Sequence, residues 1–352
     1  MGDKLRAMVI GCGNMGTKRI KSLMETKEAQ LAFIVDNQEG KAERIAKQYG
    51  VDFGADPYEA MNKVKPDFVI ISTPNKFHAP LAQATLRKNI HVFCEKPLAR
   101  NPQEATAMVK TAIENKAFLK TGSNLRYFPS VTKAKELLEK NEIGEILFVR
   151  GWIGNSGWQL QNSWFTDPDL VGGGTLLDNG THMFDLIRWF TGEVKECLGV
   201  ISTVHWQVNP LEDVGLCIFK NIHGKYAFIQ SSWVDWAGYM YLEIYGKNGY
   251  IRIDNRENAC ITTLGKKNGM KDIFDYSLQP PISYNLELED FVRSIKLNRQ
   301  PLPSGYDGLR AVQMAYGVYW STKTGKTISI YGKEDEELAN AYSHMQAIYK
   351  RA

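Results

Sequence analysis

Three side chains of this sequence have the types and settings to hold a reacting oxygen or move a proton. Asp178 and His182 stand four residues apart in the run Gly172-Gly173-Gly174-Thr175-Leu176-Leu177-Asp178-Asn179-Gly180-Thr181-His182. If a helix begins near Asp178, that spacing puts both on one face. An imidazole titrates near ~6.5 and can accept a proton from an alcohol around neutrality; a neighbouring carboxylate orients it and raises its basicity. The same residues also suit a buried structural histidine and a helix N-cap. Lys96 lies between Glu95 and Pro97, just past the apolar run 91–94. At the C-terminal end of a strand in a doubly wound sheet it would face the ligand crevice, where an ammonium can hydrogen-bond a substrate oxygen and stabilise developing charge. The alternative is an ordinary surface lysine. His182 and Asp185 have no further ligands nearby, so no metal is expected.

Gly11-Cys12-Gly13-Asn14-Met15-Gly16 follows a strand-like run and opens a helical one. In that context G-x-G-x-x-G reads as a dinucleotide signature. Gly11 permits the tight turn, Gly13 lets a pyrophosphate approach the backbone, and Gly16 allows the helix to pack closely on the strand. The helix start offers N–H groups and the positive end of its dipole. The next strand ends at Asp36, twenty residues beyond Gly16. A carboxylate there accepts hydrogen bonds from the adenosine ribose and repels a 2′-phosphate. Asn37 follows rather than an arginine, so NAD is expected over NADP, with Lys41 and Arg44 leaving NADP open. Thr73, Pro74, Asn75 and His78 follow another strand, and Glu95 and Lys96 a third. All are expected along the cofactor's edge. His78 equally suits a helix start satisfied by backbone.

The pattern around these residues supplies their frame. Strand-like runs at 6–10, 29–35, 67–72, 91–94 and 118–121 alternate with helical spacing at 14–25, 39–49, 80–88 and 102–115, which predicts a parallel sheet with helices on both faces. After Gly122 a helix at 131–141 leads into successive strands at 146–152, 197–204, 214–220, 226–233, 239–245 and 250–253. Turn signals at 221–224 and 246–249 make that sheet mostly antiparallel. A helix at 179–190 interrupts it, and helices at 286–297, 308–322 and 334–350 close the chain. The expected fold is α/β: a nucleotide-binding domain over 1–122, then a domain over 123–352 with a large open sheet, its last helices free to pack back on the first domain. All eight tryptophans follow residue 150. Trp158 and Trp164 fall in a polar, loop-like stretch, suited either to packing or to stacking on a sugar ring.

Composition narrows the function classes. The chain has 352 residues, 43% hydrophobic and 23% charged, with a net charge of +4. It contains no basic block that would mark a nucleic-acid or anionic-membrane surface. No apolar run approaches the ~18 residues of a membrane span, and the first run is too short for a signal-peptide core. The five cysteines are scattered, without metal-binding or disulfide spacing. A cytoplasmic protein acting on a small molecule is expected.

Together the glycine fingerprint, Thr73-Pro74-Asn75 with His78, Glu95-Lys96-Pro97, and the glycine run leading to Asp178, His182 and Asp185 resemble the glucose–fructose oxidoreductase, inositol dehydrogenase and MocA (Gfo/Idh/MocA) family nearly end to end. The resemblance implies an N-terminal Rossmann domain, a C-terminal open-sheet domain whose face forms a homodimer or homotetramer contact, and hydride transfer between NAD and a hydroxyl-bearing carbon of a sugar, sugar derivative or cyclic polyol. It implies that Lys96 holds the reacting oxygen, His182 accepts the proton and Asp178 partners the histidine, with Lys96 as an alternative base. Asn124-Leu125-Arg126-Tyr127 resembles the family's linking segment, so Arg126 and Tyr127, with Trp164, join Lys96, Asp178 and His182 as expected substrate contacts. Two other readings share the scaffold: a redox-neutral NAD-dependent glycosidase, and a non-enzymatic dinucleotide sensor, which retention of Lys96, Asp178 and His182 argues against.

Overall fold

The computed structural model describes residues 4–161, 163–279 and 282–345. Residues 1–3, and the end of the expected last helix at 346–350, lie outside these. The chain forms two compact units: one comprises the chain through Asn124, Ile282–Leu309 and the segment from Glu337, and the other the stretch beginning at Leu125 and Arg310–Glu336.

In the first unit, β1 (Leu5–Ile10), β2 (Ala29–Val35), β3 (Asp52–Gly54), β4 (Phe68–Ile71), β5 (His91–Glu95) and β6 (Leu119–Gly122) form a parallel sheet in the order β3-β2-β1-β4-β5-β6. All four residues of β4 are buried. Strands covered on both faces need no polar alternation, so this one reads Phe-Val-Ile-Ile. Phe291, on the helix Ser283–Lys296, sits edge-on to Phe68 and Phe93 at 5.5 and 5.6 Å. Full burial of such a ring contributes roughly 1.5–3 kcal/mol. The strand order reverses between β1 and β4, which opens a crevice at their carboxyl ends. Gly11, Thr73 and Lys96 follow β1, β4 and β5 there. Sequence reading missed β3 and the helix Pro57–Val64. β3 is only three residues long, and the helix is marked by its Asp56 cap and Pro57 rather than by a long apolar face.

The second unit holds β7 (Ile146–Gly154), β8 (Val194–Ser202), β9 (Val214–Asn221), β10 (Tyr226–Ser232), β11 (Tyr239–Gly246), β12 (Gly249–Asp254), β13 (Ile261–Lys266), β14 (Lys271–Asp275) and β15 (Ile328–Ser329), in the order β14-β13-β12-β11-β7-β10-β9-β8-β15. β7 and β10 are parallel; the other neighbours are antiparallel. Alternation sets the two faces. Gly215, Cys217 and Phe219 of β9 point into the core, while Leu216 and Ile218 point outward. The helices Pro129–Glu139 and Thr181–Thr191 cover the inner face, with Phe184 edge-on to Phe219 at 4.9 Å. The helix expected from Asn179 begins differently: Leu176–Gly180 form a π turn that runs into Thr181–Thr191. Strands β13 to β15 were also not foreseen.

Candidate active site

Two of the three fingerprint glycines have a steric reason. Gly11 sits at φ +90°, and a Cβ on it would lie 2.8 Å from the backbone of Ser72. A Cβ on Gly16 would lie 1.8 Å from the Gly11 carbonyl oxygen. Gly13 has nothing within 4 Å of its Cβ position, so its backbone faces open space. The helix Asn14–Glu25 that follows has no side-chain cap, leaving its first N–H groups to an anion. Asn14 is exposed and Met15 half-buried on that first turn. Asp36 is buried at the end of β2, where Oδ2 accepts from Cys12 N at 2.7 Å and Oδ1 from Gln38 N at 2.9 Å. A carboxylate has about four lone-pair sites, so two backbone donors leave capacity for ribose hydroxyls. Lys41 Nζ stands 3.5 Å from Asp36 Oδ2. Burial, with Asp36 adding to it, pushes the Cys12 thiol up to about 12, so it stays protonated and packs. Two buried hydroxyls beside this turn, Ser72 Oγ and Thr73 Oγ1, have no hydrogen-bond partner. Buried orphans are rare, and these suit a bound polar group. The turn therefore fits a dinucleotide.

The ends of β4 and β5 are tied together. His78 is buried, its Nδ1 2.9 Å from Pro97 O and its Nε2 2.9 Å from Thr73 O. Burial holds its pKa below the ordinary value, and a neutral ring has one N–H, so it donates to only one of these two carbonyl oxygens while sitting between the turns that carry them. Pro74 is half-buried and Asn75 buried between them. Glu95 is engaged by Arg19, with Arg19 Nε 2.5 Å from Glu95 Oε1. Arg19 is fully buried; Nη2 stands 2.8 Å from Glu287 Oε2, an ion-pair distance outside hydrogen-bond geometry. Glu287 Oε1 accepts from Ser123 N at 2.7 Å and lies 3.9 Å from Lys120 Nζ. Two cations and two carboxylates thus balance in the interior. Burial alone would lower the Arg19 guanidinium, but Glu95 and then Glu287 hold it above its ordinary value. Lys96, next in the chain, is half-buried.

In the second unit the glycine run is shaped by a buried carboxylate. Glu212 accepts from Gly174 N at 3.0 Å, Leu176 N at 2.9 Å and Tyr319 Oη at 3.0 Å. A Cβ on Gly174 would lie 2.0 Å from Glu212 O, and one on Gly173 2.4 Å from Tyr319 Oη. Burial pushes Glu212 up to about 7 despite those donors. The π turn that follows carries Asp178, whose Oδ2 accepts from the indole N–H of the fully buried Trp233 at 2.9 Å. Such one-turn π elements recur at functional sites because they re-aim a side chain within a helix. Asn179 Oδ1 accepts from Asn155 Nδ2 at 3.3 Å. His182 is buried on the first turn of the helix Thr181–Thr191.

Asp185, one turn on, forms a bidentate pair with Arg126: Nε to Oδ2 at 2.8 Å and Nη2 to Oδ1 at 2.5 Å. The guanidinium also lies 5.0 Å over Trp189. That gives Arg126 an internal partner; the sequence placed it among the expected substrate contacts. Tyr127 is half-buried beside it, and Trp164 is 36% exposed and stacked on Phe165 at 4.2 Å. Among the described residues no cluster of three His, Cys, Asp or Glu could hold a metal ion. Sequence reading missed Arg19, Glu287, Glu212 and Trp233, all of which act on partners distant in the chain.

Residues 5–123 match the GFO/IDH/MocA oxidoreductase family with an NAD-binding Rossmann fold, and residues 131–252 match the GFO/IDH/MocA C-terminal domain. The chain is 28% identical over 340 residues to the myo-inositol 2-dehydrogenase of Thermotoga maritima, covering 93% of this chain and 98% of that one. It is 31% identical over 194 residues to the D-glucoside 3-dehydrogenase of Escherichia coli, covering 53% and 54%. Its fold matches levoglucosan dehydrogenase solved with NADH and levoglucosan, at TM-score 0.86 and 22% identity, over 94% and 100%.

Proposed function

The chain belongs to the GFO/IDH/MocA family of NAD-binding oxidoreductases, and from that premise we propose that it is a dehydrogenase moving a hydride between NAD and a hydroxyl-bearing carbon of a sugar, sugar derivative or cyclic polyol. The observation that carries the reading is the Asp178 turn, a carboxylate held by a buried indole one helical turn before a buried histidine. Curated relatives aligned along both units are inositol 2-dehydrogenases, which supports a polyol or sugar.

When bound, NAD supplies the hydride acceptor. The chain's residues do the rest. The Gly11–Gly16 turn and Asp36 bind the dinucleotide, with Thr73, Pro74 and Asn75 beside it. Glu95 and His78 enter as braces of that edge. Lys96 holds the reacting oxygen, His182 takes the hydroxyl proton as the C–H bond gives up its hydride, and Asp178 stabilises the resulting imidazolium. Arg126, Tyr127 and Trp164 are the proposed substrate contacts, with Arg126 oriented by its pair with Asp185. Every curated relative named above is a dehydrogenase, which favours net redox over redox-neutral glycoside cleavage or sensing.

The proposal extends to a homodimer or homotetramer through the outer face of the nine-stranded sheet. Leu198, Ile218 and Phe228 are cross-strand neighbours there, 39–47% exposed, and Val200 and Leu216 continue the apolar stripe. Patches of that kind mark interaction surfaces. No described helix is long and apolar enough to cross a membrane; a dehydrogenase drawing on an NAD pool is placed in the cytoplasm. Nicotinamide reduction across a polyol and sugar panel tests the reading.

A further inference from the structure

Three loops at one end of the nine-stranded sheet carry exposed rings that the proton-transfer residues do not use. The register fixes their convergence. Ser232 pairs with Gly154 and Val214, Tyr239 with Gly154, and Ser202 with Val214. The ends of β7, β8 and β10 and the starts of β9 and β11 therefore share one edge. From it rise the segments 155–161, 203–213 and 233–238. Trp158 on the first is 64% exposed and Trp236 on the third 65%. His205, on the second, lies edge-on to Trp206 at 5.0 Å and to Trp236 at 5.8 Å, and Trp158 is edge-on to Trp206 at 6.4 Å.

The cluster is continuous with the Asp178 turn. Trp206 donates its indole N–H to Trp233 O at 2.8 Å, and Trp233 donates its own to Asp178. Asn155, at the foot of the Trp158 loop, bonds Asn179 beside Asp178. The loop backbone also presses on Trp206: Gly157 has φ +70°, and a Cβ there would lie 2.2 Å from Trp206 Nε1. Two indoles left mostly in water are unusual, because Trp normally buries a large apolar area. A flat ring with C–H groups on its face covers an indole well while keeping its hydroxyls in water. The aliphatic stripe assigned above to subunit contact lies on the strands, apart from these loops.

We propose that this aromatic rim is a subsite for a second ring, so that the substrate is a glycoside whose reacting sugar is held at Asp178 and His182 and whose attached ring, a second sugar or an aryl group, lies against Trp158 and Trp236. The assignment rests on the dehydrogenase reading above.

The test takes the best free monosaccharide or polyol found for the wild type and compares it with its methyl, phenyl and glucosyl derivatives, in wild type, Trp158→Ala and Trp236→Ala. The ring-bearing derivatives should exceed the parent in kcat/KM by about tenfold, chiefly through KM, the scale of one aromatic stacking contact. Both variants should lower that ratio toward the value for the methyl derivative. No advantage for any second ring, or an equal loss on all substrates, overturns the subsite and leaves the dehydrogenase standing. A change of oligomeric state in the variants, read by light scattering, also overturns it by making the rim a contact between copies. If no compound reduces NAD, the dehydrogenase reading fails, and fluorescence titration with phenyl glycosides decides the subsite alone. Quenching that Trp158→Ala removes supports it, and no such quenching ends it.

Discussion

The indole N–H of Trp233 donates to Oδ2 of Asp178 at 2.9 Å, although the two residues are 55 positions apart. Trp233 is itself fixed: its backbone N–H donates to Asp213 O at 2.7 Å and its carbonyl accepts from Trp206. Asp213 in turn accepts from Val204 N, His205 N and Trp206 N, each at 2.8 Å. The carboxylate that would partner His182 is thus aimed by a rigid, buried ring. Trp233→Phe keeps a ring and removes the donor. It should lower kcat about tenfold with little change in KM. In an Asp178→Asn background the same change should add nothing, because an effect that runs through Asp178 is non-additive. Additive losses would mean that Trp233 only packs.

We propose that Asp36 sets the cofactor preference. Its carboxylate lies beside the glycine turn and would repel a 2′-phosphate. Asp36→Ala should narrow the NAD to NADP ratio of kcat/KM by roughly ten- to a hundredfold, and it should cost about 1–3 kcal/mol because Cys12 N and Gln38 N lose their acceptor. A wild type that prefers NADP would contradict the assignment.

Arg19 is the keystone of a buried charge cluster. Arg19→Met would strand Glu95 and Glu287 in the interior, a change of about 3–5 kcal/mol. The urea midpoint should fall accordingly, while Arg19→Lys should lose less. A midpoint within error of wild type would show that the carboxylates simply take up protons.

His91 gives the first unit an acid-sensitive element. Phe118 N donates to His91 Nδ1 at 3.0 Å, so the ring is held neutral, and burial lowers its pKa to about 4. The unfolded ring titrates near ~6.5 and binds the proton first. This contribution is therefore complete above pH ~6.5 and is lost as pH falls toward 4, on the order of 3 kcal/mol in all. Stability of wild type minus that of His91→Gln, from urea unfolding at several pH values, should shrink over that window. A difference independent of pH would rule out the buried neutral ring.

Local spacing made much of this legible. Gly11, Gly13, Gly16 and Asp36 follow from one strand–turn–helix–strand unit, whose chemistry is short-range. The four-residue spacing of Asp178 and His182 left a catalytic pair and a structural histidine with a helix cap both open, and the family resemblance supplied their roles. The π turn that carries Asp178 did not show itself, because it is a backbone state with no residue signature of its own. Trp233, Glu212 and the Arg19–Glu287 contact depend on which strands and helices become neighbours. The convergence of the three aromatic loops depends on the parallel pairing of β7 with β10, which no turn signal announces. The pairing of Arg126 with Asp185 was not legible, because the two residues are 59 positions apart and nothing local links them.

The most direct test of the central claim is a spectrophotometric screen for nicotinamide reduction, offering NAD and NADP separately with inositols, free sugars, sugar phosphates and nucleotide sugars, to wild type and Lys96→Met. The account predicts NAD reduction on a sugar or polyol, lowered by roughly two to three orders of magnitude in Lys96→Met with NAD binding retained. Undiminished turnover in Lys96→Met would remove the lysine from the mechanism. Silence of the wild type across the panel, with NAD demonstrably bound, would contradict the dehydrogenase itself.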